Sequence, residues 1–511
     1  MRDRTQFGGC SLSRYDLLIV LGLFTCSSLL YAVLGVRFEA STVLSMQFID
    51  PALLTERMGE SLWYYHATPP ALNLLVGIGL KLFGADAPYF YAVVFHLLGL
   101  LTALSVYALT RALSDSKRVA AVTTAALVFS PSFVLYENHL LYDFPAMALL
   151  AVATLALYQF VSTKRVGWGI GFFCVLATLL LTRSVFHLIW MAATVAFLLA
   201  LLGSWRRQIL LAAAVPFLVV TLWYAKNYYY FGKFGSSTWM GLGLSNITLS
   251  LVPPAQLAPL VERGELSPWA LVSRYDSSWP IFRGNLRPPA GVPVLDNMLT
   301  APGHANWNYR DIPAIDRLYT ADALTVIRRF PATYVYGVSL ANKAYFAPTS
   351  ISPYFSQANR IAVTPIRLAA PSLLSGASGS MLVVSLQRLG FRFPEDIVVP
   401  LRADLLMIVA WVGVFAWAYA VARRALTDSV ARSSPRVVVM GFLVMTAAYT
   451  YLVSTTLELG ENYRYRFLLE PLFFVLAATA ATSAFGALRR AKAVRSFFSK
   501  LQDHSKRGMT Y

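Results

Sequence analysis

The sequence LLIVLGLFTCSSLLYAVLGVRFE, residues 17–39, joins a long apolar run to a charged exit. Its apolar part, Leu17–Val36, has about the length that crosses a bilayer as an α-helix. It is longer than the hydrophobic part of a signal peptide, which spans roughly 7–15 residues, and no small-residue cleavage site follows it. We therefore interpret Leu17–Val36 as an uncleaved first membrane span.

Further apolar segments of this kind follow along the chain. They are Tyr89–Thr110, Val119–Tyr136, Phe144–Val161, Trp168–Leu181, Val185–Leu202, Ile209–Tyr224, Leu405–Val421, Val437–Thr455 and Phe467–Phe485. The 511-residue chain is 57% hydrophobic and only 13% charged, whereas a soluble protein carries roughly 25% charged residues. Ala323–Ala347 and Ile361–Leu386 are interrupted by Arg or Pro, so they are either extra spans or interfacial or packed helices. The composition predicts an all-α polytopic membrane protein with about 10–13 transmembrane helices and a large non-cytoplasmic loop region.

Basic residues collect in alternate turns between these segments. They are Arg111, Lys117, Arg118, Lys164, Arg165, Arg206, Arg207, Arg423, Arg424, Arg432, Arg436, Arg489, Arg490, Lys492, Arg495 and Lys500. The positive-inside rule then places these turns and both termini in the cytoplasm. A formal charge of +18 would suggest nucleic acid in a soluble domain. Because these charges lie at helix ends, we expect anionic membrane lipids as partners and no nucleic acid.

The other turns carry acids, histidines and one very long loop, and we expect them on the non-cytoplasmic face. Three regions are predicted: an N-terminal transmembrane module, 1–225, with an outer loop at 37–87; a large non-cytoplasmic region, 226–400; and C-terminal spans with a basic cytoplasmic tail, 401–511. A multi-pass protein of a bacterial inner or plasma membrane fits this layout.

The first outer loop holds two candidate bases. Glu39 lies where the bilayer ends, so partial desolvation is expected to raise its pKa toward that of a useful general base. The loop is predicted to form short helices over Thr42–Asp50 and Leu53–Trp63, then a helix in the headgroup plane over Ala71–Phe83. Asp50 ends the first of these helices before a proline and is the second candidate.

Histidines and further acids crowd the outer turns. His66 precedes the rigid Pro69-Pro70 corner and is either a site residue or an ordinary interfacial histidine. Glu137, His139 and Asp143 lie within one short turn. Asp143 alone is explained as a helix-start residue that interacts favourably with the helix dipole. These residues and Glu461 are candidates for supporting roles or for a divalent metal, although no spacing is diagnostic of a metal site.

Arg183, Arg464 and Arg466 lie in the turns that should lack positive charge. An arginine near mid-membrane costs about 2.5–3.5 kcal/mol on insertion scales, so each is expected to have an anionic partner. A phosphate suits the planar guanidinium. An internal salt bridge to one of the acids is the alternative.

Four local motifs resemble the GT-C superfamily of membrane glycosyltransferases, in the branch of protein O-mannosyltransferases and the lipid A aminoarabinose transferase. They are Phe38-Glu39; His66-Ala67-Thr68-Pro69-Pro70 with the later Lys81-Leu82-Phe83-Gly84; Tyr142-Asp143-Phe144-Pro145; and Glu461-Asn462-Tyr463-Arg464-Tyr465-Arg466 with Glu470-Pro471. The family's first acid is commonly Asp, often in an Asp-Glu pair. This chain has a single Glu39 there, so Asp50 stays an alternative for that role.

The resemblance implies a GT-C-like bundle that transfers a sugar, with inversion, from a polyprenyl-phosphate donor to a hydroxyl of a glycan, lipid or protein. A carboxylate (Glu39 or Asp50) would accept the hydroxyl proton, and the three arginines would stabilise the phosphate leaving group. Two other classes remain open: a ligase or polymerase of lipid-linked glycans, and a glycan transporter. A transporter should show paired broken helices and midplane polar groups, and the sequence shows neither pattern.

Overall fold

The computed structural model describes residues 12–44, 48–272, 288–369, 383–384, 399–400, 405–425 and 428–487. Nearly all of the regular structure in these ranges is helical, which confirms the all-α class. Among the described residues, seven helices are long and apolar enough to cross a membrane, and a bent pair at Lys117–Val128 and Pro131–Glu137 makes an eighth if it counts as one span. The described part of the chain is therefore a polytopic helical bundle.

The structure describes eleven α-helices in the N-terminal half of the bundle. They are α1 (Arg14–Val33), α2 (Pro51–Glu56), α3 (Met58–Trp63), α4 (Ala71–Phe83), α5 (Ala87–Ser114), α6 (Lys117–Val128), α7 (Pro131–Glu137), α8 (Asp143–Thr163), α9 (Val166–Leu180), α10 (Leu188–Leu201) and α11 (Arg206–Phe231).

The later helices are shorter until the chain returns to the bundle. They are α12 (Met240–Asn246), α13 (Pro254–Glu262), α14 (Pro293–Asp296), α15 (Ile312–Arg329), α16 (Pro331–Tyr345), α17 (Gln357–Ala362), α18 (Thr364–Ala369), α19 (Leu405–Ala425), α20 (Ser429–Arg432), α21 (Pro435–Leu457), α22 (Asn462–Phe467) and α23 (Glu470–Ala487). Val383–Val384 (β1) pairs antiparallel with Val399–Pro400 (β2).

Every apolar segment that the sequence analysis assigned as a span contains a helix. Two of them, α9 and α10, are only 15 and 14 residues long, which is why length and composition alone do not count them as spans. The bend of 60° between α6 and α7 comes at Ser130-Pro131, because a proline disfavours helical geometry in the residue before it. The expected number of about 10–13 spans includes these shorter and broken helices.

Local signals in the sequence set several helix ends. Ser13 and Asp16 form a reciprocal capping box at the start of α1, which satisfies two backbone N–H groups that lack helical partners. Tyr107 and Lys117 also reach the Asp16 carboxylate, at 2.8 and 3.5 Å. These contacts join the start of α1 to α5 and α6 where basic residues were predicted to collect.

One large apolar core unites the N-terminal and C-terminal spans, from Val20 in α1 to Leu476 in α23. The region between α11 and α19 builds two smaller cores of its own. One surrounds Tyr319 of α15, and the other links α12 and α16 to Leu459, just beyond α21. The inter-span region is thus a packed structure that rests on one end of the bundle.

Two predictions for the first loop are wrong. Thr42–Asp50 is not a helix that ends at Asp50: Ser41–Leu44 forms a 3-10 turn, residues 45–47 lie outside the described ranges, and Asp50 caps the start of α2. Leu53–Trp63 is two helices, because the backbone leaves helical geometry at Arg57.

Other expectations hold or stay untested. Ala71–Phe83 is helical as predicted, while its place in the headgroup plane remains a prediction. Ala323–Ala347 is divided at Phe330, before Pro331, into two packed helices. Part of Ile361–Leu386 and the basic tail, 488–511, lie outside the described residues, and the three-region division stays a proposal.

We expect Gly241→Ala to destabilise the protein, because a Cβ there would lie 2.1 Å from the Asp316 backbone oxygen and 2.5 Å from Thr320 Oγ1. Overpacking of this kind costs about 1–3 kcal/mol. The measurement is thermal unfolding in detergent. Gly171→Ala is the matched control, since its Cβ meets nothing within 4 Å. Equal unfolding temperatures for the two variants would contradict the close packing of α12 on α15.

Candidate active site

Four turns meet at one end of the bundle, which we call the acidic end: residues 34–70, 138–142, 181–187 and 458–461. The first two turns pair as a short parallel bridge, in which Glu39 N donates to Asn138 O and Leu140 N donates to Glu39 O, both at 2.9 Å. Thr42 adds a 2.6 Å bond to Leu140 O. The acid at the exit of the first span is therefore fixed beside the turn that contains His139 and leads into Asp143 of α8.

Asp143 is the centre of this end. Its side chain has no solvent exposure, and it lies in the first turn of α8. One oxygen, Oδ2, accepts hydrogen bonds from Arg464 Nε at 2.9 Å and Nη2 at 2.6 Å. The other, Oδ1, faces Arg183 Nη2 at 3.4 Å. Two of the three arginines for which the sequence suggested a phosphate partner thus share one carboxylate.

The two arginines differ in how fully they are occupied. Arg464 uses Nε and Nη2 on Asp143 and Nη1 on Glu461. Arg183 makes only the looser ion pair to Asp143, and its buried Nε has no hydrogen-bond partner. A buried donor without a partner is costly and calls for an explanation such as a ligand. Arg183 is therefore the arginine with capacity left to bind an anion.

Aromatic rings line both guanidinium groups. The Arg183 guanidinium lies 4.1 Å from the centre of the Tyr142 ring and 4.8 Å from that of Tyr465. Arg464 lies 4.9 Å from the Tyr354 ring. Such stacking holds a planar cation in one orientation and lowers the cost of removing it from water.

Arg466 does not join this cluster. Its Nε donates to Tyr345 O at 2.9 Å, its Nη2 donates to Ala347 O at 2.7 Å, and Nη1 faces Glu470 at 3.4 Å. Its side chain has no solvent exposure. The guanidinium ties α22 to the end of α16, so the internal salt bridge is the alternative that the structure supports for this arginine.

The expected rise in the Glu39 pKa is wrong. The Ser41 side chain hydrogen-bonds the carboxylate and lowers its pKa, an effect that outweighs the upward shift from partial burial; the Ser41 backbone N–H and nearby His139 lower it further. Glu39 is only partly buried. A lowered pKa keeps the carboxylate ionised, which is the form that can accept a proton or face a positive charge.

Asp50 and His66 connect the first loop to other segments of the protein. Asp50 Oδ1 accepts from Ala52 N at 2.9 Å to cap α2, and Oδ2 accepts from Ala301 N. The fully buried His66 ring contacts Thr238 Oγ1 at 2.9 Å and Asn308 O at 3.1 Å. Both residues tie the first loop to the region after α11, and the contacts of their side chains are those of structural residues.

The side chains of His139 and Glu137 lie in different environments. His139 is buried beside Phe355, its ring nitrogens have no hydrogen-bond partner, and burial lowers its pKa to about 4. Glu137 instead turns into the bundle, 3.5 Å from His96 Nδ1 of α5. Among the described residues, no group of three or more His, Cys, Asp or Glu side chains is placed to hold a metal ion. The open question of a divalent metal therefore gains no support from the geometry of these residues.

Two residues of the acidic end were not selected from the sequence. Lys226 is buried in α11, where Nζ donates to Trp63 O at 2.7 Å and lies 4.0 Å from the Trp223 ring. Glu458 follows α21 and accepts a 3.1 Å hydrogen bond from Asn246 Nδ2. Only the packing of α12 against the end of α21 distinguishes Glu458 from the other acids of this end.

A known protein family matches the part of the chain that contains Asp143 and Arg183. Residues 67–225 match the family described as dolichyl-phosphate-mannose-protein mannosyltransferase. This segment contains Asp143 and Arg183, and it excludes Glu39 and Arg464. The match confirms, over less than half of the chain, the resemblance to GT-C membrane glycosyltransferases that the loop motifs indicated. A comparison with curated proteins gives no match.

Two solved structures illustrate the similarity. The Archaeoglobus fulgidus oligosaccharyltransferase in the apo form is 14% identical, covering 94% of this chain and 52% of that one, with a TM-score of 0.39. ArnT from Cupriavidus metallidurans bound to undecaprenyl phosphate is 18% identical, covering 86% of this chain and 77% of that one, with a TM-score of 0.35. The chain thus spans about half the length of the archaeal enzyme. At these scores the superpositions assign no residue of the site.

We expect Asp143→Asn to destabilise the fold strongly, because it leaves two buried arginines without their shared counter-charge. Breaking a buried ion pair costs about 3–5 kcal/mol. Unfolding in detergent, followed by circular dichroism, measures the effect. Glu262→Gln, at an exposed position of α13, is the control and should unfold like the parent. An unchanged unfolding temperature for Asp143→Asn would disprove the central role of this carboxylate.

Proposed function

We propose that this protein transfers a sugar from a polyprenyl-phosphate carrier to an acceptor hydroxyl at the acidic end of the bundle, with inversion at the anomeric carbon. The observation that carries the proposal is the cluster of Asp143, Arg183 and Arg464, with Glu39 held beside it by the bridge to His139. The family match over residues 67–225 supports the reaction class.

The leaving group of this reaction is a lipid phosphate, which needs charge stabilisation more than protonation. Arg183 supplies it: the guanidinium is oriented by two tyrosine rings and has a buried Nε without a hydrogen-bond partner. Asp143 holds Arg183 only at 3.4 Å, so a phosphate can compete for its donors. Preorganised donors of this kind stabilise charge that develops in the transition state.

The reacting sugar carbon gains positive charge as the bond to phosphate lengthens. Glu39, whose pKa is lowered, provides a carboxylate to face that charge. In a one-step displacement the acceptor oxygen bonds to the anomeric carbon as the bond to the phosphate oxygen breaks, and the hydroxyl proton passes to the Glu39 carboxylate. No second carboxylate is needed as a nucleophile. The acceptor is a hydroxyl of a glycan, lipid or protein, which reaches the site from the region between α11 and α19.

The charge pattern supports an orientation. The turns rich in arginine and lysine lie opposite the acidic end, so we place that end on the non-cytoplasmic face, and both termini in the cytoplasm. A bacterial inner or plasma membrane is the proposed location. Anionic lipid headgroups are the expected partners of the basic turns.

Arg183→Gln should weaken the binding of a polyprenyl phosphate and slow transfer by about 10²-fold or more, since oxyanion-type donors contribute on that scale. The assay follows release of polyprenyl phosphate from polyprenyl-phosphate hexoses, with cell-envelope extract as the acceptor. Arg329→Gln changes an arginine of α15 that is exposed and paired with Glu265 and should leave turnover unchanged. Absence of turnover by the parent protein with any of these donors would refute the proposed function.

Glu39→Gln and Asp50→Asn should separate chemistry from structure. We expect Glu39→Gln to reduce kcat by about 10²-fold or more with little change in unfolding temperature. Asp50→Asn should keep stability within about 1 kcal/mol of the parent, because Asn caps a helix as well as Asp does, and should leave kcat within a few-fold. Unfolding in detergent and single-turnover assays provide the two readouts. If Asp50→Asn lowers kcat strongly and Glu39→Gln does not, then Asp50 and not Glu39 is the catalytic carboxylate.

A further inference from the structure

Both ring nitrogens of His139 are buried without a hydrogen-bond partner. The residue is 2% exposed, and neither Nδ1 nor Nε2 has a donor or acceptor within reach among the described residues. His66 offers a comparison, because it is equally buried but its ring contacts Thr238 Oγ1 and Asn308 O. A buried polar group without a partner calls for an explanation such as a ligand. The His139 ring therefore has two contacts left to make.

This ring lies beside the carboxylate that we place at the reacting carbon. The backbone of Glu39 forms hydrogen bonds on both sides of the histidine: Glu39 N donates to Asn138 O, and Leu140 N donates to Glu39 O, both at 2.9 Å. The two residues are paired across this parallel bridge, and their side chains are close enough to interact electrostatically. The ring interacts with Arg464 in the same way. His139 therefore belongs to the charged cluster, although its own nitrogens are unused.

The hydrogen-bonding capacity of His139 distinguishes between two kinds of ligand. Burial and, to a smaller extent, nearby Arg464 lower its pKa to about 4, so near pH 7 one nitrogen is a donor and the other is an acceptor. A phosphate diester offers only acceptors and would leave the acceptor nitrogen unpaired. A hydroxyl both donates and accepts, so the hydroxyls of one sugar ring can satisfy both nitrogens. His139 therefore fits a sugar, whereas Arg183 fits the phosphate.

The ring that covers His139 is held by packing. Phe355 lies edge-on to the imidazole, with 5.6 Å between the ring centres. Its segment is anchored at Thr349, which bonds to α7 and α23, and at Asn359, which bonds to the first loop, all at 2.8–2.9 Å. Between these anchors, Phe355 N makes a local hydrogen bond to Ser352 O at 3.2 Å. The Phe355 ring can therefore turn away from the imidazole while the anchors of its segment stay in place.

We propose that His139 binds the sugar of the polyprenyl-phosphate donor, with its ring N–H donating to one hydroxyl and its other nitrogen accepting from a hydroxyl. This inference rests on the proposed sugar transfer and adds to it a residue that selects the sugar. The Phe355 ring turns aside as the sugar enters, while Arg183 holds the phosphate and Glu39 lies at the reacting carbon. No covalent bond forms or breaks at His139, so its role is in binding.

The first test compares the binding of polyprenyl phosphate with that of a polyprenyl-phosphate hexose, in detergent and without an acceptor. His139→Leu should weaken binding of the hexose-carrying lipid by about tenfold or more, since it removes two hydrogen bonds that each contribute about two- to tenfold. Binding of the bare phosphate should stay unchanged. Arg183→Gln should weaken both. His304→Leu, which changes an exposed histidine, is the matched control and should weaken neither.

The second test uses donors in which single hydroxyls of the hexose are replaced by hydrogen. The parent should bind one or two of these deoxy donors about threefold to tenfold less tightly. In His139→Leu those losses should disappear, while losses at other positions persist. Such non-additivity reports a direct contact, which a purely structural role of His139 would not produce. His139→Gln keeps a donor and an acceptor and should reduce the same losses in part, which covers the case in which His139→Leu fails to fold.

Two results overturn the inference and are distinguishable from failure of the proposed function. The first is that His139→Leu weakens binding of the bare and the hexose-carrying phosphate equally, or weakens neither. The second is that the losses with deoxy donors are the same in the parent and in the His139 variants, which excludes contact with a sugar hydroxyl. If the parent itself turns over no polyprenyl-phosphate hexose, the proposed function fails, and this inference fails with it.

Discussion

The acidic end depends on one carboxylate without solvent exposure that neutralises two arginines. Asp143 in α8 binds Arg464, which is 321 residues away in the chain, and faces Arg183 in the turn after α9. Taking three charges out of water is expensive unless each finds a partner of opposite sign in good geometry. The structure meets that condition for Arg464 and Asp143, and it leaves Arg183 partly satisfied. The incomplete satisfaction of Arg183 is the ground on which we propose that this network binds an anion in addition to stabilising the fold.

The other polar residues around the cluster of Asp143 and the two arginines fall into two groups. Asp50, His66 and Arg466 use their polar atoms on backbone groups of other segments, and so fix the first loop and the region after α11 against the bundle. Glu39 and Glu458, by contrast, are only partly buried. The first group supplies rigidity, and the second supplies groups that a substrate can contact. Catalysis benefits from such a rigid surround, since it holds reacting groups without reorganisation.

Much of the fold followed from local sequence, and part of the site did not. Apolar length located every helical segment that was assigned as a span, and Ala71–Phe83 was predicted to the residue. The first loop was less predictable: Asp50 was expected to end a helix but caps the next one, because a proline at the following position starts a helix as readily as it stops one. The Glu39 pKa was expected to rise through desolvation, yet its hydrogen bond with Ser41, two residues along, outweighs that effect. Arg466 had the same sequence signature as Arg464, and only its packing against Tyr345 and Ala347 separates the two.

The sequence by itself determined which segments are apolar enough to cross a membrane and which turns gather acids, because both properties belong to short continuous stretches of chain. The bridge between Glu39 and His139 and the pairing of Asp143 with Arg464 join turns that the sequence could assign only to a common side. Tertiary structure alone decided which of those charges neutralise each other. It also brought Gly243 and Asn246 of α12 against Glu458. The physical reason is that an ion pair or a close backbone approach is set by the packing of helices distant in sequence, whereas membrane insertion responds to the composition of each segment alone.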